Sequence, residues 1–176
     1  PAHSLGIHVT QCWTEAVKYG FLIEGICGLV LSDTQMYISD PDGAGIKMTM
    51  PYLFYHSTIS NTQIRCDGSH AVGIIYSPSD EHYRNHLNLT NCQIVESSTG
   101  VKIGPLARRL FINDNHIHAY GTGIVIDKGA DIFFVNENMI DAEKAIDNQA
   151  GEGQYKTVRD NYALPPSGGI PKQKTE

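Results

Sequence analysis

Leu110-Phe111-Ile112-Asn113-Asp114-Asn115-His116-Ile117 decides the fold, because the chain repeats it. The stretch Leu87-Asn88-Leu89-Thr90-Asn91-Cys92-Gln93-Ile94 carries the same pattern 23 residues earlier, and Phe133-Phe134-Val135-Asn136-Glu137-Asn138-Met139-Ile140 carries it 23 residues later. A further step of 23 puts Val158 and Asn161 in the same columns. A second short apolar segment follows each copy: Gly100-Val101-Lys102-Ile103, Gly123-Ile124-Val125-Ile126 and Ala145-Ile146-Asp147-Asn148. Self-similarity at a fixed period of this length is the mark of a solenoid.

The columns extend upstream. The apolar column of Leu89, Ile112, Val135 and Val158 begins with Val9, Leu31 and Ile59, at spacings of 22, 28, 30, 23, 23 and 23. Three residues on, the column reads Cys12, Thr34, Thr62, Cys92, Asn115, Asn138, Asn161; two further on it reads Thr14, Met36, Ile64, Ile94, Ile117, Ile140, Ala163. A glycine opens the second segment at Gly20, Gly45, Gly73, Gly100 and Gly123, with Ala145 and Gly169 in the last two places. That predicts about seven coils.

The apolar runs are short, alternate with period 2 and are rich in Val, Ile, Phe and Thr, as strands require. Glycine and Asn/Asp clusters punctuate every coil where turns belong. Trp13 to Leu22 is the one stretch that passes for a helix, and the strand columns fit it better. The fold class predicted is all-β: a single-stranded, right-handed parallel β-helix over residues 1–164, then an exit strand and loose tail over 165–176. Coils about 4.8 Å apart place column-mates over one another. Aliphatic columns then form the core, and the Asn115, Asn138, Asn161 column forms an amide ladder like those of stacked strands.

The repeated Asn-x-Ile followed by Gly-Ile-x-Ile resembles the pectate-lyase-like superfamily of right-handed β-helices from about Leu5 to Ile170. That superfamily includes pectate lyases, polygalacturonases, uronate-polymer epimerases and bacteriophage tailspikes. The Asn-Thr-Asp motif that polygalacturonases place before a Gly-Ile-Asp strand is absent. Resemblance to tailspikes implies a homotrimer around the helix axis.

A net charge of −6 argues against nucleic acid, which favours a basic stripe. No apolar run reaches the 18 or more residues of a membrane span. The chain opens at Pro1 without a signal peptide or a visible cap before Leu5, which predicts a fragment, cut from a longer protein or matured by cleavage. Cys12 and Cys92 share a column three coils, about 14 Å, apart, beyond the reach of a disulfide. Cys27 and Cys66 are also more than a coil apart, so reduced thiols acting as small hydrophobes are expected. Asn88-Leu89-Thr90 matches a glycosylation sequon but lies within a strand.

Sites on a rigid scaffold concentrate in its loops. Three insertions flank the second segments of coils two to four: Asp40 to Ala44, Arg65 to His70, and Ser77 to His86. They predict a walled groove with Lys47, Ile75 and Lys102 as its floor, suited to an oligosaccharide and especially an anionic one. The candidate catalytic carboxylates are Asp42, Asp67 and Asp80, since glycoside hydrolysis needs two at a defined separation. His70, Glu81, Tyr83 and Arg84, with Lys47 and Lys102, are the candidate substrate-binding residues. A lyase would instead draw on Lys47, Lys102 or Arg84. Asp-Pro-Asp-Gly and Cys-Asp-Gly-Ser are also ordinary turn sequences.

Asp33, Asp114, Glu137 and Asp160 share a column that reads as a solvated turn row or, less readily, a cation site. His116 and His118, with His82 and His86, are a candidate metal set, but His82 and His86 lie in a loop with no ligand motif around them, so neither a metal nor a cofactor is expected. Leu22, Ile75, Val125, Phe111 and Phe134 should face outward, and such apolar surface marks a subunit contact. Together these features point to a viral tailspike or tail-fibre β-helix that binds, and in the enzymatic reading depolymerises, a bacterial surface polysaccharide. It would act extracellularly on the virion tail after folding in a reducing cytosol. A non-catalytic receptor-binding or structural shaft segment is one alternative, and a cellular polysaccharide lyase or uronate epimerase is another.

Overall fold

The computed structural model describes residues 5–24, 27–49, 56–79, 86–151 and 153–164. Every regular element among them is a strand. One parallel sheet stacks β1 (Leu5–Thr10), β4 (Cys27–Ser32), β7 (His56–Ser60), β10 (His86–Thr90), β12 (Arg108–Asn113), β14 (Asp131–Asn136) and β16 (Lys156–Arg159) in that order. Seven strands one coil apart make a solenoid of about six turns.

The second sheet has ten strands. Its main path runs through β2 (Trp13–Val17), β5 (Gln35–Ile38), β8 (Gln63–Cys66), β11 (Gln93–Ile103), β13 (His116–Ile126), β15 (Met139–Asn148) and β17 (Tyr162–Leu164). The shorter β3 (Tyr19–Glu24), β6 (Ala44–Thr49) and β9 (Val72–Tyr76) join it through β11, which pairs with β8 over residues 93–95 and with β9 from Thr99 to Ile103. The early coils thus have two strands where the later ones have a single long strand bent by a bulge, and this sheet presents two flanks.

The predicted columns are the observed register. Val9 pairs with Leu31, Leu31 with Ile59, Ile59 with Leu89, Leu89 with Ile112, Ile112 with Val135, and Val135 with Val158. Leu89, Ile112, Val135, Ile103 and Ile126 are all fully buried. Trp13 to Leu22 lies in two strands, as the columns require.

Each coil leaves the seven-stranded sheet through one residue with positive φ: Gln11, Asp33, Asn61, Asn91, Asp114, Glu137 and Asp160, all between 48° and 58°. Asn and Asp tolerate this left-handed conformation better than most residues, which accounts for the polar column at this corner. The carboxylates of Asp33, Asp114, Glu137 and Asp160 therefore mark a turn row. Asp33 accepts a bond from Asn61 and Asp114 one from Asn113.

The next column is the ladder. Asn115 and Asn138 are buried, and the amides of Asn115, Asn138 and Asn161 bond coil to coil. Thr34, Thr62 and Cys92 occupy the same column upstream, each donating to the carbonyl two residues back. The glycine column is steric. A Cβ on Gly100 would meet the Ile117 side chain and stand 2.6 Å from the Gly123 carbonyl oxygen, and Gly45, Gly73 and Gly123 are equally hemmed in.

The thiols of Cys12, Cys66 and Cys92 are free; burial pushes the Cys66 thiol up to about 12 and that of Cys92 to about 11.

Candidate functional site

Two of the three expected loops can be placed. Residues 40–43 form a tight turn in which the Asp42 amide donates to Asp40 Oδ1 at 2.9 Å and the Gly43 amide to the Asp40 carbonyl at 3.0 Å. Residues 67–71 stack directly on it: the Asp67 amide donates to the Ile38 carbonyl at 2.8 Å and the His70 amide to the Pro41 carbonyl at 3.0 Å. Gly68 is required there, since a Cβ would stand 2.6 Å from Pro41 Cα. The two loops rise together, as flat turns that continue the coil stacking. Asp80, Glu81, Tyr83 and Arg84, with His82, lie outside the described residues, so the third loop is known only through residue 79.

The predicted floor is a true register row, with Leu22, Lys47, Ile75, Lys102, Val125 and Asp147 paired in succession. Lys47 extends its ammonium over the Tyr19 ring, 5.3 Å from the centroid, and Lys18 stands 5.9 Å from the same ring. Leu22, Ile75 and Val125 share this flank, whereas Phe111 and Phe134 lie on the seven-stranded sheet, stacked at 5.4 Å. The apolar side chains grouped together in the sequence therefore occupy two different faces.

The first flank of the ten-stranded sheet carries a denser set of exposed aromatic and amide side chains. One outward row runs Trp13, Gln35, Gln63, Gln93, His116, Met139, Tyr162, with each residue a register partner of the next. Every member is exposed, Trp13 at 67% and Tyr162 at 65% of their surface. Gln63 Nε2 donates to Gln93 Oε1 at 3.1 Å, and Asn91 Nδ2 to Asn61 Oδ1 at 2.5 Å along the adjoining corner. Gln35, Gln63 and Gln93 with Asp33, Asn61 and Asn91 line an open groove of about 410 Å³.

Beside that row stands a charged cluster. Tyr37 Oη donates to Asp67 Oδ2 at 2.8 Å, and Arg65 Nε to Glu96 Oε2 at 2.6 Å, with the guanidinium 6.0 Å from the Tyr37 ring centroid. The hydrogen bond to Asp67 raises the Tyr37 phenol above its ordinary pKa, and the bond to Glu96 raises Arg65. Tyr120 is raised chiefly by burial and then by the Glu96 and Asp67 charges, which places it in the same field. His118 packs edge-on to Tyr120 at 5.7 Å and stands 3.9 Å from Asp141 Oδ2.

Of the predicted residues, Asp67 belongs to this cluster. Asp42 and His70 lie on the stacked turns, and Lys47 and Lys102 on the second flank. Sequence reasoning passed over Trp13, the glutamine row and Glu96. The glutamines were detectable, each one residue after the Thr34, Thr62, Cys92 column. Glu96 was harder, because it occupies the bulge with a φ of 60°, where strand alternation breaks. Among the described residues no three His, Cys, Asp or Glu side chains converge as metal ligands. No helix there is long and apolar enough to cross a membrane. The chain matches no family model, no curated protein and no solved structure.

Proposed function

We propose that this solenoid is a glycan-binding scaffold of tailspike or tail-fibre type, holding a bacterial surface polysaccharide along the first flank of its ten-stranded sheet. The observation that carries this reading is the exposed row from Trp13 through Gln35, Gln63 and Gln93, repeated once per coil. Amides offer both donor and acceptor to sugar hydroxyls, and an exposed indole offers a flat apolar face with a single N–H donor. A linear polymer of hydroxylated rings suits a row that repeats with the strands. The expected preference shifts away from anionic polymers, since Asp67 and Glu96 stand beside the row with Arg65 as the one cation between them.

The apolar faces support the trimeric part of the proposal. A cyclic trimer joins two unlike patches on each subunit. The Leu22, Ile75, Val125 row and the Phe111, Phe134 pair lie on different sheets, which leaves the Trp13 row facing outward. In this reading the protein acts outside the cell on the virion tail after folding with reduced thiols. Binding alone is favoured over cleavage by one observation: Asp67 and Glu96 are each engaged by a neighbouring side chain, Tyr37 and Arg65.

The test is a panel of neutral, anionic and amino-bearing bacterial oligosaccharides titrated against the protein by calorimetry, with product length followed by size exclusion. Binding of at least one glycan, weakened about thirtyfold by Trp13→Ala as for an aromatic anchor of roughly 2 kcal/mol, is the expected result. No binding across the panel would overturn the reading. Light scattering should report three copies per particle.

A further inference from the structure

His56 opens β7 and His86 opens β10, and the two are register partners on adjacent parallel strands. Their Nδ1 atoms are 2.6 Å apart and their rings meet edge to face, 4.7 Å between centroids at 71°. That is shorter than most hydrogen bonds donated by nitrogen. Two nitrogens of one kind thus converge on one point at the surface, where one alone of them can donate and the other must accept. His56 is exposed and His86 half-buried.

The surroundings hold this arrangement. The Phe111 ring lies 5.3 Å from the His86 ring, and Phe134 stacks on Phe111 in turn, so the His86 imidazole is backed by an aromatic column. With both rings as the Nε2–H tautomer, the two Nδ1 lone pairs face the same point. A metal ligand must be deprotonated at the coordinating nitrogen.

We infer that His56 and His86 form a binding site for a divalent transition-metal ion, held through the two Nδ1 atoms with water completing its coordination. Imidazole suits Zn²⁺, Ni²⁺ and Cu²⁺. Zinc–nitrogen bonds of about 2.0–2.1 Å at a tetrahedral angle put the nitrogens roughly 3.3 Å apart. The pair reaches that separation by opening less than about 1 Å, a motion within the freedom of the exposed His56 side chain. Arg109 opposes a cation and no third protein ligand converges among the described residues, so the site binds moderately and exchanges readily. It lies on the seven-stranded sheet, at the edge of the Phe111, Phe134 patch proposed as a subunit contact and away from the proposed glycan face, and does not depend on glycan binding.

The experiment is calorimetric titration of the tag-free chain with Zn²⁺ and Ni²⁺ at pH 7.5, alongside His56→Ala, His86→Ala and His118→Ala. The expected result is one equivalent bound, weakened at least about tenfold by losing either His56 or His86 and unchanged by losing His118, whose partner Asp141 is the nearest rival. Circular dichroism checks that each variant is folded; should His86→Ala fail, the exposed His56→Ala carries the test. Absence of binding, or binding that survives His56→Ala, overturns the site. A Cu²⁺ spin-resonance spectrum should show two nitrogen couplings, and a spectrum without them would also overturn it.

Discussion

Asn115 Nδ2 donates to Asn138 Oδ1 at 2.9 Å, and that same oxygen accepts the backbone amide of Asn115 at 3.2 Å. The Asn138 amide in turn donates to the carbonyls of Ile112 and Asn136 and to Asn161 Oδ1. One buried side chain thus closes a corner of its own coil and ties the coils on either side to it. Asn138→Ala leaves a buried amide and two carbonyls without their partner. Each such group costs about 1–3 kcal/mol, so a loss of about 3 kcal/mol is expected in urea unfolding. Asn161→Ala should cost less, because that residue is only half-buried.

Gly100 faces a different limit. The Gly100 Cα passes so close to the neighbouring coil that an added methyl would run into Ile117 and the Gly123 carbonyl. Overpacking of this kind costs about 1–3 kcal/mol. Gly100→Ala should lower the unfolding midpoint accordingly. Gly153→Ala should not, since its nearest neighbour is the flexible Lys156 side chain at 3.7 Å.

The His86 pKa is lowered by burial first, then by His56 and Arg109. The unfolded chain therefore binds a proton at a higher pH than the folded one. The stabilising contribution is complete above the unfolded value of about 6.5 and is lost as pH falls from there toward the folded value. Urea midpoints measured between pH 8 and 5 should fall on the acid side for the native sequence, and less steeply for His86→Asn. Equal slopes would mean that other groups carry the acid sensitivity.

The thiols should divide by burial. Cys66 and Cys92 are buried with pKa values pushed up to about 12 and about 11, so neither holds appreciable thiolate at pH 8. Cys12 is half-exposed. Alkylation of the native protein, read by peptide mass spectrometry, should mark Cys12 and spare Cys66 and Cys92 until denaturant is added.

The register of this fold was legible because it is written once per coil. Val9, Leu31 and Ile59 lie beyond the regular 23-residue region, yet their column held across spacings of 28 and 30 residues. The added residues are accommodated between strands, as where turn 40–43 carries turn 67–71, and do not shift the pairing. Which face an outward side chain occupies was less legible. Phe111 and Leu22 read alike as exposed apolar residues, but the corner at Asp114 and its column-mates separates their sheets. The cluster joining Tyr37, Asp67, Arg65 and Glu96 was illegible for a further reason. It depends on a bulge at Glu96 that puts a carboxylate beside a guanidinium 31 positions earlier in the chain, and no periodicity predicts that.

Asp67 is where the binding and cleaving readings part. Its carboxylate is exposed and held by the Tyr37 hydroxyl, with Glu96 engaged by Arg65 on the same flank. Asp67→Asn keeps an oxygen that can accept the Tyr37 hydrogen bond, so the face keeps its shape while one acid–base group disappears. Glycan affinity should stay within about threefold of the native value, because exposed charges at a site contribute little. Trp13→Ala, which removes an exposed indole, should weaken binding far more. If the protein shortens the glycan, Asp67→Asn should slow it about a hundredfold or more, the size of a general acid–base contribution. Native turnover unaffected by Asp67→Asn would remove Asp67 from the chemistry and turn attention to Glu96 and the His118–Asp141 pair. A glycan bound tightly and recovered at full length after long incubation would establish this flank as a recognition surface alone.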